Sequence, residues 1–265
     1  EDWKKSMSIS QAPLWRMTNF QLKEGLICNL FVCHHAIMDG WSDASFATEL
    51  NNTYLGLRSD SEFKLEKLKC TYKEYVINTL VADSNEKVKE FWKRDLNGYL
   101  RSNFPYNINL NTGNLIGERT FEKPIDREVV NKIMKFSKET NINLKNILTS
   151  AFAYVLNAYS FNNDIIFGVV DNNRLGIKDG DKVLGCFLNT LPFRFKVDSS
   201  CTWIDYVKKI DEKLKLIKQQ GYFSLIEIAN IANIDSPQEN PFFDYTFSYL
   251  DFHIYNEIER EIQSN

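Results

Sequence analysis

Histidine is scarce in this chain: three in 265 residues, at positions 34, 35 and 253. Two of them are adjacent, at the end of an apolar run, "FVCHHAIMDGWS" (31–42). Other absences narrow the possibilities. Cys28, Cys33, Cys70, Cys186 and Cys201 form no C-x-x-C pair and are odd in number, which speaks for reduced thiols in a cytoplasmic setting and against a disulfide framework. The apolar runs "LICNLFVC" and "DIIFGVV" are too short to span a bilayer, so no membrane partner is expected. "EDWKKSMSIS" has no apolar core of a signal peptide, and with no initiator Met the chain is expected to be an excerpt of a longer one. A net charge of −3 without a basic stretch gives no footprint for nucleic acid. There is no glycine-rich phosphate loop and no internal repeat. What is present, 43% hydrophobic and 25% charged residues, describes an ordinary globular protein with enough chain for one large domain or two smaller ones.

Periodicity sets out the elements. Residues 13–22 and 26–35 read as two strands joined at Lys23-Glu24-Gly25. The second is apolar on both parities, so it is expected to be interior, and its two histidines should point to opposite faces. Gly40 breaks the run. Ser42 as a capping hydroxyl and Asp43 in the first turn mark a helix over 43–57, with Phe46, Leu50 and Tyr54 stacked. Helices follow at 71–81 and 84–97, the latter with Val88, Phe91, Trp92 and Leu96 on its apolar side. Residues 98–117, rich in Asn, Gly and Pro, read as a connection between two lobes. Beyond it come a strand at 119–125, a helix at 126–140, and a helix at 144–160 with Leu144, Ile147, Leu148, Ala151, Val155, Leu156 and Tyr159 on one face. A strand at 164–170, a strand at 189–197 with Arg194 and Lys196 on a wet face and Pro192 arguing for an edge or a bulge, a helix at 203–219 and a strand at 242–250 complete an α/β pattern.

The histidines admit several chemistries. A metal would need a third ligand near His35 and Asp39, and none lies close in sequence, so no metal is expected. Cys33 and His35 share a strand face and could form a nucleophilic pair, although a small thiol in a buried strand more often packs. Either histidine could be a satisfied core residue; that reading suits His34, whose strand face is otherwise Leu, Cys, Leu and Val.

"HHAIMDG" resembles the HHxxxDG motif of the condensation domains of nonribosomal peptide synthetases, which belong to the chloramphenicol-acetyltransferase-like acyltransferases. "DGWS", "TYKEYV", "FWKRDL", "IIFGVVDNNR", "GCFLNTLPFR" and "FFDYTFSY" resemble the later signature segments in the same order, across roughly residues 12–252. "VVDNNR" is only loosely like its counterpart. The resemblance implies two α/β lobes in a V around a tunnel. Residues 1–105 would be the C-terminal part of the first lobe, which lacks its N-terminal part. Residues 106–117 would connect the lobes, and 118–265 would be the second lobe, incomplete at its end.

It also implies a reaction of secondary metabolism such as antibiotic biosynthesis. An acyl or peptidyl thioester and an aminoacyl thioester, each on the 4′-phosphopantetheine arm of a peptidyl carrier domain, meet to form an amide. An adenylation domain would be a neighbour. The second motif histidine, His35, would be catalytic. His34, Asp39, Gly40 and Arg174 would be structural, with Asp39 paired to Arg174 or, second, Arg16. Trp41, Ser42 and Asn189 would lie in the tunnel or beside the motif. No cofactor is expected in the domain itself, and the excerpt alone is expected to be inactive. A standalone acyltransferase, an epimerization domain and a non-catalytic recruitment domain of the same fold are the alternatives.

Overall fold

The computed structural model describes residues 5–102, 120–234 and 240–251. The expected connection at 106–117 lies outside them, as do Arg119 and His253. Strands β1 (Trp15–Lys23) and β2 (Leu26–Cys33) are followed by helices α1 (Gly40–Ser59), α2 (Tyr72–Asp83), α3 (Glu86–Leu96), α4 (Arg127–Thr140) and α5 (Leu144–Ser160). Then come β3 (Asp164–Asn172), β4 (Leu188–Lys196), α6 (Trp203–Gln219), α7 (Leu225–Ile231) and β5 (Thr246–Phe247). The chain forms two compact units. The first takes residues 1–80, 172–188 and 250–265; the second takes 81–171 and 189–249. This interleaving differs from the linear division at 106–117: α3 sits in the second unit, and the stretch between β3 and β4 sits in the first.

In the first unit β1 and β2 pair antiparallel, Trp15 opposite Cys33, through a tight loop in which Gly25 takes φ +74°, a backbone conformation that glycine adopts without steric cost. β2 is not the interior strand expected from its apolar parities. Among the described residues β1 is the only strand beside it, and Leu26 and Ile27 are 43% and 64% exposed. An apolar strand is covered on both faces only if layers exist on both. Here Phe31 packs on Phe46 of α1, at 4.6 Å between ring centres, while Leu50 and Tyr54 further along that helix stay exposed. A small cluster of Cys70, Val183 and Phe187, with Tyr72 and Tyr75 packed against it, forms a separate core in this unit.

The second unit holds the larger core. β3 is buried along Ile165–Val169, and among the described residues the order β4-β3-β5 places it centrally, with Pro192 on an edge strand, one of the two placements expected of it. Gly168 is required there: a Cβ would stand 2.5 Å from the Phe243 ring. The expected stripe of α3, Val88, Phe91, Trp92 and Leu96, is buried in full. β5 covers two residues where a nine-residue strand was expected, and residues 120–125 form no strand.

Two faces differ from the periodic reading for one reason: a polar side chain that is fully hydrogen-bonded buries as readily as an apolar one. On α5 the inward face is Asn146, Ile147, Thr149, Ser150, Ala153 and Leu156, and Val155 and Tyr159 face out. Asn146 donates to Asp211 of α6 at 2.6 Å, and the Thr149 and Ser150 hydroxyls donate back to the carbonyls of Lys145 and Asn146. On β4, Arg194 is buried, not wet. Its guanidinium forks onto Asp164 at 2.9 and 2.6 Å and donates to the carbonyls of Asp95, Asn97 and Gly98.

Trp92 has no exposed surface and lies in this core. Trp92→Ala is expected to lower unfolding free energy by about 3–5 kcal/mol, the range for deleting a large buried side chain. Urea denaturation followed by far-UV circular dichroism checks this, and a midpoint equal to the parent would contradict the packing described.

Candidate active site

The first unit presents the paired histidines on a turn, not on the strand. β2 ends at Cys33; His34 carries no regular structure, and residues 35–37 form a turn. Strand parity therefore does not separate the two side chains. Local hydrogen bonding does. The His34 N–H donates to the Leu14 carbonyl at 2.9 Å, and its ring Nδ1 accepts the Ala36 N–H at 3.0 Å. That acceptance places the proton of the neutral ring on Nε2. His34 is half-buried and staples the turn, where a core residue was expected; His35 is exposed.

The other end of the turn is fixed at Asp39. It precedes α1 in extended conformation, φ −95° and ψ 172°, and its carboxylate caps the helix by accepting the Ser42 N–H at 2.7 Å. The cap is thus Asp39, three residues before the expected Ser42, and Gly40 opens the helix where a break was expected. The same carboxylate accepts the Phe187 N–H at 3.0 Å and pairs with Arg174 Nη2 at 3.0 Å. Both side chains are dry, Asp39 at 0% and Arg174 at 9% exposure. Arg16, the second candidate for this pairing, donates to the Lys5 carbonyl.

Arg174 gathers the stretch 172–188 onto the motif. Its Nη1 donates to the Val183 carbonyl at 2.6 Å, its Nη2 reaches Ser42 Oγ at 2.5 Å, and its guanidinium lies 4.3 Å from the Phe187 ring centre. Burial pushes this guanidinium below its ordinary range, and Asp39 pulls it back up. Trp41 donates its indole N–H to the Asp181 carbonyl at 2.9 Å. Gly185 admits no side chain, since a Cβ would stand 2.3 Å from the Tyr72 ring. Tyr72 in turn donates its hydroxyl to the Cys186 carbonyl at 2.8 Å. Gly185, Phe187 and Tyr72 lie in the segments "GCFLNTLPFR" and "TYKEYV" but were given no role of their own from the sequence, and Val183 was not singled out. Asn189 belongs to the second unit, where its amide donates to the carbonyls of Gly221 and Phe223.

A family model for the condensation domain matches residues 1–265. The chain belongs to the condensation-domain family. Gramicidin S synthase 2 of Brevibacillus brevis is 25% identical over 232 residues, which cover 87% of this chain and 5% of the synthase. Bacitracin synthase 3 of Bacillus licheniformis is 22% identical over 236 residues, 88% of this chain and 4% of that synthase. The chain therefore spans a small part of the curated relatives it matches. Among solved structures, the first condensation domain of the CDA synthetase superposes with a TM-score of 0.68 at 16% identity, over 90% of this chain and 54% of that one. The X-domain from teicoplanin biosynthesis gives 0.72 at 16% identity, over 92% and 56%. At these identities the structures establish the fold, a mixed α/β fold of condensation-domain type.

Other chemistries of the condensation domain's motif find less support in the geometry. Burial pushes the Cys33 thiol upward, and Asp43 adds to the shift, so the nucleophilic thiolate is disfavoured. Asp39 is committed to Ser42, Phe187 and Arg174. Among the described residues no group of three or more His, Cys, Asp or Glu is placed to hold a metal ion, and no helix is long and apolar enough to cross a membrane.

Asp39→Ala leaves Arg174 buried without its counter-ion. Removing one partner of such a pair costs about 3–5 kcal/mol, so the variant is expected to melt well below the parent or to become insoluble. Differential scanning fluorimetry decides; an unchanged midpoint would show that the pair does not hold the turn.

Proposed function

We propose that the chain forms peptide bonds in nonribosomal peptide synthesis. It would join an acyl or peptidyl thioester to an aminoacyl thioester, each delivered on the 4′-phosphopantetheine arm of a peptidyl carrier domain, with an adenylation domain nearby and in the cytoplasm. One observation carries the reading: the imidazole of His35 is exposed on a turn pinned at one end by the backbone of Leu14 and at the other by the Asp39 network. In family domains two lobes form a V around a tunnel, and the proposal takes residues 1–105 and 118–265 as their counterparts.

The reaction asks little of a base. The acceptor nitrogen attacks the thioester carbonyl, the tetrahedral oxyanion collapses, the C–S bond breaks, and the pantetheine sulfur leaves as a thiol with the proton the amine has lost. An α-amine, with a pKa of about 7.7–8.0, is already neutral in part near pH 7. His35 can accept the remaining proton or hold the amine in line, and alignment alone is a large share of such catalysis. Asp39 touches neither substrate; it fixes the turn on which His35 stands.

The test is single-turnover amide formation between two loaded carrier domains, with the domain in its native polypeptide. His35→Ala is expected to slow the reaction by about 10²-fold or more, the scale of general acid–base catalysis, with the melting midpoint unchanged. His34→Ala loses the bond to Ala36 and is expected to lose stability first and rate less. Near-parental rates for His35→Ala with several acceptor amines would overturn the assignment. Turnover of a free amine or alcohol without an acceptor carrier would favour a standalone acyltransferase. Carrier binding without turnover would favour a recruitment domain.

A further inference from the structure

The hydroxyl of Ser42 is the most heavily used side-chain atom around the motif. The residue is fully buried. A hydroxyl has one proton and two lone pairs. The Gly185 carbonyl, 2.7 Å away, can only accept, so the proton points there. The Gly185 N–H at 3.0 Å and Arg174 Nη2 at 2.5 Å donate to the oxygen. Every bonding position of the hydroxyl is occupied.

This side chain binds both polar groups of a single residue's backbone, as a neighbouring strand would, and so fixes Gly185 in two directions. The same Gly185 carbonyl accepts the Asp39 N–H at 3.2 Å. No Cβ fits at position 185, so the contact is bare backbone against one hydroxyl, with no flexible side chain to absorb misplacement. Asp39 does a different job. Its bonds to Phe187, Arg174 and the Ser42 backbone N–H do not involve the Ser42 hydroxyl and would survive its removal. The ion pair joins Arg174 to the motif; the hydroxyl joins Gly185 to the first turn of α1, the helix that follows the His35 turn.

We infer that Ser42 is a positioning residue for His35, acting through its paired hydrogen bonds to Gly185. The inference rests on the amide-forming reading and deepens it. A misplacement of about 1 Å can cost about 10²-fold in rate. In the single-turnover assay, Ser42→Ala is expected to lower kcat by about 10- to 100-fold while KM for either loaded carrier stays the same. Its melting midpoint should move far less than that of Asp39→Ala. Ser42→Cys, similar in volume but poor at hydrogen bonding, should stay slow; Ser42→Thr, which keeps the hydroxyl, should recover most of the rate.

Parental kcat in Ser42→Ala or Ser42→Cys overturns the inference. So does a loss that appears only in KM or only in proportion to unfolded protein, or a folded Ser42→Thr as slow as Ser42→Ala. If Ser42→Thr does not fold, the decision rests on whether Ser42→Ala and Ser42→Cys both lose kcat with KM and the folded fraction unchanged. The parent and His35→Ala run in the same series keep the two readings apart: no amide from the parent overturns the proposed reaction, whereas an active parent matched by Ser42→Ala overturns only the role of Ser42.

Discussion

A carboxylate with no exposed surface, facing an arginine that is nearly as dry, is the constraint around which the first unit is arranged. Stability alone does not explain such a pair, since desolvating two charges offsets much of their attraction and an apolar pair of similar volume often does as well. Its value lies in what each partner can satisfy at once. Asp39 ends the turn, caps α1 and receives the backbone of Phe187; Arg174 donates to the carbonyl of Val183 and to the hydroxyl oxygen of Ser42. An apolar pair could fill the space but could make none of these bonds. Specifying one arrangement of two chain segments far apart in sequence is the work of this interaction.

The two histidines then divide along a line drawn by the turn. His34 spends its ring acceptor on the Ala36 N–H and so belongs to the scaffold. His35 projects where the turn leaves it, and its usefulness depends on how firmly the turn is held. That would suit the proposed reaction, whose nucleophile is already partly neutral, so that His35 could act by holding the reacting groups in register as well as by accepting a proton.

The sequence revealed most where one kind of force decided the outcome. The hairpin at Gly25, the apolar stripe of α3 and the buried run of β3 each follow from local conformation or apolar burial alone, and they were legible. The inward face of α5 was misread because Asn146, Thr149 and Ser150 are polar but satisfied, by Asp211 across the interface and by carbonyls of their own helix. Arg194 read as wet for the same reason. Whether a charged side chain is buried depends on partners up to 99 residues away in sequence, here Asp95 and its neighbours, and pattern alone does not reveal them. The short helix α7 did leave a trace, Ser224 and Glu227 in a capping box, but seven residues give too little periodicity to draw attention to it. At the candidate site the motif residues could be read, while the bonds made by the backbone of Val183, Gly185 and Phe187 could not.

The interleaving of the two units bears on how such chains can be recombined. The chain leaves the second unit at the end of β3, contributes residues 172–188 to the first, and re-enters at β4. A hybrid made by a single cut between residues 103 and 119 would take Asp39 and Ser42 from one parent and Arg174, Gly185 and Phe187 from the other. The mismatch would fall at the motif turn. A graft that carries 172–188 together with the first 80 residues keeps each buried charge with the partner it was selected beside. Such a graft needs a junction after residue 80 as well as one at the end of β3 and one at the start of β4, yet it disturbs the motif turn less than a single cut in the apparent linker.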